Sequence, residues 1–133
     1  MLKVTVASYA EARECPLRNV LDRLGDKWTF LIIVALEDGP KRFNELKRLV
    51  GDISQRVLTS KLRDLERDGY VARTVYPESP PRVEYALTAI GVSSIGPITQ
   101  LMNWSVAAHP LIASARRQYD RKNGPHDADV PRD

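Results

Sequence analysis

The chain is poor in cysteine and histidine and has no long apolar run, and each shortage removes a class of protein. One cysteine, Cys15, among 133 residues excludes an internal disulfide and any zinc finger built on paired cysteines. That usage fits a reducing compartment and a cytoplasmic protein. His109 and His126 lack an acidic partner at metal-ligand spacing, so no metal and no cofactor is expected. The longest apolar stretch, Phe30 to Leu36, is far too short for a bilayer span. No basic segment leading into an apolar one opens the chain, so no secretory signal is expected either. Internal repeats and low-complexity blocks are also missing.

What remains is ordinary globular composition, with 43% hydrophobic and 28% charged residues. At this length one core, and one domain around it, is the simplest expectation. The net charge of +3 is small, but its distribution is uneven. Residues 1–40 carry 5 Lys/Arg against 6 Asp/Glu, residues 41–82 carry 10 against 6, and residues 83–133 carry 5 of each. A basic surplus confined to the middle third suits a face that meets a polyanion, although a solvated surface leaves the same trace.

Hydrophobic spacing divides the chain into elements. Leu17, Val20, Leu21 and Leu24 recur at helical intervals after Pro16, and Gly25 closes the turn. Asp26 is placed to cap the next helix, Trp28 to Glu37, which is apolar nearly all round and so predicted to be central and buried. Asp38-Gly39-Pro40 stops it. Phe43, Leu46, Leu49 and Val50 mark a third helix. Ser54 caps a fourth that runs to about Arg67, with Leu58, Leu62 and Leu65 inward. Residues 71–76 and 82–87 are β-rich and flank a stiff, proline-rich turn. Thr88 caps a last helical region in which Pro97 is expected to kink or restart the helix and His109-Pro110 to end it. A further helix is expected around Leu111 to Tyr119, and from Asn123 the tail reads as disordered.

Two helices joined by Gly51-Asp52-Ile53-Ser54 and followed at once by a hairpin predict a mainly α fold, a helix-turn-helix with a β-hairpin wing. The fourth helix is the candidate reader of DNA. Gln55, Arg56 and Thr59 occupy its first turn and a half and suit adenine, guanine and the thymine methyl respectively. Ser54 and Ser60 suit phosphate oxygens, and Arg63 extends the outward polar face. Lys41 and Arg42, with Lys47 and Arg48, flank it as backbone grips. Arg82, at the end of the proline-stiffened loop, suits a narrow minor groove or a phosphate. Each feature has a plainer reading: a solvated amphipathic helix, and an arginine kept for solubility. Trp28 and Trp104 read better as core filling than as a pocket lining.

The segments Cys15-Pro16-Leu17, Gly25-Asp26-Lys27-Trp28, Gly39-Pro40-Lys41-Arg42-Phe43-Asn44-Glu45-Leu46, Ile53-Ser54-Gln55-Arg56-Val57-Leu58-Thr59, Leu62-Arg63-Asp64-Leu65-Glu66-Arg67-Asp68-Gly69-Tyr70-Val71 and Pro81-Arg82-Val83-Glu84-Tyr85-Ala86-Leu87-Thr88 stand in this order. Together they resemble the HxlR family of bacterial winged-helix transcription regulators over about residues 15–106. The resemblance implies a homodimeric, cytoplasmic, double-stranded-DNA-binding protein, with the Ser54 helix in the major groove and the wing beside it. It implies a DNA-binding domain over 15–88, dimerisation through helices over 89–122 and through the segment 1–14, and a disordered tail over 123–133. Ala89-Ile90-Gly91, which has no lysine, and the extension past Pro110 depart from the family pattern.

Cys15 has two readings. Beside Pro16 at a helix start it is placed for a lowered pKa and reaction with an oxidant or electrophile, and some relatives sense through a cysteine at this place. It also fits as a small buried hydrophobe. The leading functional expectation is a repressor on a pseudo-palindromic operator. The alternatives are a thiol-dependent enzyme, which no neighbouring base or oxyanion-type glycine loop supports, and a winged-helix protein-interaction module that no longer binds DNA.

Overall fold

A computed structural model describes residues 16–124; Cys15, the segment 1–14 and residues 125–133 of the expected tail lie outside the described residues. The chain divides into two compact units, one ending at Ile95 and one beginning at Gly96. Five helices and two strands are described: α1 (Pro16–Leu24), α2 (Lys27–Ala35), α3 (Phe43–Val50), α4 (Gln55–Arg67), β1 (Val71–Tyr76), β2 (Arg82–Leu87) and α5 (Ala89–Asn123).

The first unit is built around α2. Asp26 caps it as expected, accepting from the Thr29 N–H at 2.9 Å and the Thr29 hydroxyl at 3.0 Å. The cap holds Thr29 in the interior beside Ile32, Ile33 and Leu36. Leu46 and Val50 of α3 join this core, as do Leu58, Leu62 and Leu65 of α4 and Val71 of β1. Leu49, expected inward, is 59% exposed, because α3 is short and turns only Leu46 and Val50 into the core. On α1 only Leu24 is buried, while Leu17, Val20 and Leu21 are exposed.

Gly69, with φ +83, ends α4 in the left-handed region that favours glycine. It lets the Tyr70 N–H return to the Leu65 carbonyl at 2.9 Å and turns the chain into β1. β1 and β2 pair antiparallel from Val71↔Leu87 to Tyr76↔Arg82. Lys41 and Tyr85 exchange both backbone hydrogen bonds, at 2.9 and 2.8 Å, which fastens the entrance of α3 to the hairpin.

The helix neither restarts at Pro97 nor ends at His109-Pro110. Pro97 and Pro110 both lie inside α5, which is assigned as one helix to Asn123. A proline removes one donor and crowds one carbonyl. In a helix of 35 residues the neighbouring hydrogen bonds outnumber that loss. The region is one helix where several were expected.

Candidate nucleic-acid interface

The polar side chains of α4 stand out because its leucines are committed elsewhere. With Leu58, Leu62 and Leu65 at 1% exposure or less, the helix cannot turn its opposite face inward without uncovering them. Gln55, Arg56, Thr59, Ser60 and Arg63 are thereby held outward and line one open groove, with Asp64 at its edge. Ser54 accepts from the Val57 N–H at 3.1 Å, so its hydroxyl serves as the helix cap. Thr59 donates its hydroxyl to the Gln55 carbonyl at 2.8 Å.

The other expected residues are placed differently. Arg42 lines a second open groove with Arg48, Pro81 and Val83, between α3 and the wing. Lys41 is largely occupied: its ammonium bonds Asp38 at 2.7 Å and the Gly39 carbonyl at 3.3 Å, and its side chain is 15% exposed. The same ammonium holds the Asp38 carboxyl below its ordinary pKa. Arg82 opens β2 with its guanidinium 4.2 Å from the centre of the Tyr76 ring, Glu78 at 3.4 Å and Glu84 at 3.6 Å. Its Nε is buried without a hydrogen-bond partner. The wing arginine is thus engaged inside the wing.

The arrangement is helix, turn, capped outward-facing helix and hairpin, and the sequence profile of HxlR-like helix-turn-helix proteins matches residues 23–111. The chain belongs to the HxlR-like helix-turn-helix family. Its relatives include the HTH-type transcriptional regulator YybR of Bacillus subtilis, 40% identical over 81% of this chain and 86% of the relative. Among solved structures, the redox regulator HypR in its reduced form aligns with a TM-score of 0.70 and 40% identity, over 74% of this chain and 98% of the other. The reduced transcriptional regulator YodB of B. subtilis aligns with a TM-score of 0.63 and 37% identity, over 68% and 88%. This HxlR-type protein is an HTH-type transcriptional regulator, not an enzyme. Among the described residues no helix is long and apolar enough to cross a membrane.

Sequence reasoning missed Arg73. It lines an open notch with Thr59, Arg63, Glu66 and Tyr85, where the base of the wing meets α4. Within the strand Arg73 looks like any outward residue. Only the hairpin register, which sets it opposite Tyr85, brings it to α4. Asp64 was read as part of a motif, and its place at the edge of the groove also depends on tertiary packing.

Proposed function

We propose that this HxlR-type regulator is a homodimeric, cytoplasmic repressor that binds a pseudo-palindromic operator, one α4 in the major groove of each half-site. The observation that carries this reading is the outward face of α4: Gln55, Arg56, Thr59, Ser60 and Arg63 share one open groove while the leucines of the same helix are buried. Gln and Arg carry the donors and acceptors that distinguish adenine and guanine. With its hydroxyl turned to the Gln55 carbonyl, Thr59 offers its methyl group to thymine. Ser54 caps the helix, so the free N–H groups of its first turn support a phosphate. Arg42 and Arg48 beside the wing supply backbone contacts, and Lys41 and Arg82 contribute by shaping the surface around them.

Dimer formation is supported by apolar surface that the single chain leaves uncovered. Leu101, Trp104 and Leu111 of α5 are 50%, 61% and 73% exposed. With Ala108 and Ala115 they fall at alternating intervals of three and four residues, the spacing of a helix seam that packs against another helix. Leu17, Val20 and Leu21 of α1 add a second exposed face.

The test is a salt titration of operator binding with two variants. Arg56→Ala is expected to cost about 1–3 kcal/mol and to relax base preference. Lys47→Ala is expected to weaken binding evenly across sequences and to lower the salt slope by about 1. Operator binding unchanged by Arg56→Ala would remove α4 as the reading element.

Control through Cys15 is supported by the likeness to the redox regulator HypR. With one thiol per chain, the switch is an intersubunit disulfide, a small-thiol cap or a sulfenic acid. With diamide as oxidant, two thiols pass two electrons and two protons to the N=N bond and form one S–S bond. Operator affinity before and after diamide or a quinone, for wild type and Cys15→Ser, tests this. Loss in the wild type alone supports the sensor, and equal insensitivity of the two removes it.

A further inference from the structure

The reading helix has a third face, turned toward α1 and the start of α2, that meets the reading groove only at Asp64. Lys61 and Asp64 on α4 and Asp68, its C-cap, lie at i, i+3 and i+7, and every one of them is ion-paired to the α1–α2 region. The Lys61 ammonium lies 2.9 Å from Asp26, the carboxylate that caps α2. The Arg23 guanidinium near the end of α1 reaches Asp64 through Nη1 at 3.0 Å and Asp68 through Nε. One planar cation therefore grips two carboxylates a helical turn apart. An arginine fork sets direction in a way that a lysine point charge does not. The side chain of Arg23 is 28% exposed, so this contact is shielded in part from solvent. Its guanidinium is held above its ordinary pKa, first by the hydrogen bond to Asp68.

Buried leucines fix which side of α4 faces the core, but apolar contacts are non-directional and tolerate small rotations and slides. Base reading does not, because each bidentate contact needs its side chain within a fraction of an ångström of the base edge. Phosphate contacts through flexible basic side chains are more forgiving. Asp64 has a double position: it takes one arm of Arg23 and stands at the edge of the groove lined by Arg56 and Arg63.

We propose that Arg23 is a positioning residue for DNA reading: by clamping Asp64 and Asp68 it fixes the rotation and slide of α4 relative to α1, so that sequence discrimination depends on it more than affinity does. This rests on the reading of α4 as the DNA-reading helix. It also makes α1, the helix that follows Cys15, mechanically continuous with the reading face.

The experiment compares the full-length wild type with Arg23→Ala, Asp64→Asn/Asp68→Asn and the triple variant. Two duplexes are used: one selected by the wild type from a random-sequence pool, and one scrambled. The readout is the ratio of the two affinities across a salt titration. Arg23→Ala is expected to lower the ratio about tenfold, within the range of coupling between contacting charged groups. Its affinity for the scrambled duplex should stay within about twofold, with an unchanged salt slope. The triple variant should lose no more than Arg23→Ala alone, because both break the same clamp. The Asp→Asn pair removes negative charge near the phosphates and so shifts both affinities together, which leaves the ratio as a clean reporter. A merely structural arginine would lower the folded fraction and weaken both duplexes alike. If Arg23→Ala does not fold, the Asp64→Asn/Asp68→Asn protein must show the same fall in ratio. An unchanged ratio in either variant, or additive losses in the triple variant, overturns the inference. A wild type that binds neither duplex at low salt overturns the DNA-reading role itself, and the clamp with it.

Discussion

Asp26 shows how much one short side chain can fix. Its carboxylate caps α2 through Thr29 and receives the Lys61 ammonium of α4, so it joins the core helix to α4. Burial pushes its carboxyl up, but the bonds from Lys61 and Thr29 outweigh that and hold it below its ordinary value. The folded pKa thus lies under that of the unfolded chain, about 3.9. Asp26 therefore stabilises the fold fully above about pH 4, and the contribution is lost as pH falls through the lower folded value. Asp26→Ala is expected to cost about 0.5–2 kcal/mol at neutral pH, as loss of a cap does. Urea unfolding of both proteins from pH 7 down to pH 3 should show the gap between them closing in the acid range. A gap constant with pH would mean that the carboxylate charge contributes nothing. At this scale the sequence was partly legible. Asp26 before an apolar helix and Ser54 before an amphipathic one carry their caps openly, because a cap is a contact three residues long. Lys41 and Arg82 did not reveal their engagement. For Lys41 the partner Asp38 is near in sequence, but for Arg82 the stacking ring of Tyr76 comes from the opposite strand and is known only once the register is known.

Elements were legible where period and punctuation agree. Residues 71–76 and 82–87 are found as the two strands expected, and α4 begins and ends at Ser54 and Asp68-Gly69. The reading failed at His109-Pro110, where a local rule was outweighed by a long helix. The junction between β2 and α5 depends on a close approach that no pattern announces. Thr88 accepts the Gly91 N–H at 3.2 Å and donates its hydroxyl to the Gly69 carbonyl. A Cβ on Gly91 would stand 2.2 Å from the Tyr70 carbonyl oxygen and 3.0 Å from the Leu87 side chain. The Tyr70 carbonyl also accepts the Thr88 N–H at 3.1 Å, so it cannot swing aside without breaking that bond. Gly91→Ala is accordingly expected to destabilise the protein by about 1–3 kcal/mol, the usual cost of overpacking, although alanine is the better helix former. Thermal or urea unfolding measures it. A stabilised variant would show that helix propensity governs this position.

For the whole molecule, the question is what a single chain leaves unfinished. Its core is closed around α2, yet the apolar seam of α5 and the apolar face of α1 face solvent. Soluble monomers rarely leave large contiguous apolar surface open, whereas surfaces made for another chain do. On the proposed function a second copy is the occupant, because a regulator with one reading helix per chain gains from linking two half-sites: the second contact becomes intramolecular, with a millimolar effective concentration. Leu101→Asp/Leu111→Asp puts two charges into the seam and leaves the reading face of α4 untouched. Sedimentation is expected to give a dimer for the wild type and a monomer for this variant. Operator affinity should fall by about a hundredfold or more as the linkage is lost. The salt slope should fall to roughly half, because each chain now neutralises the phosphates of one half-site alone. Affinity for an isolated half-site should stay near that of the wild type, which separates lost pairing from lost folding. A double variant that still sediments as a dimer would move the interface to α1 or elsewhere. A dimeric variant with normal operator affinity would leave α5 without a part in pairing the reading helices.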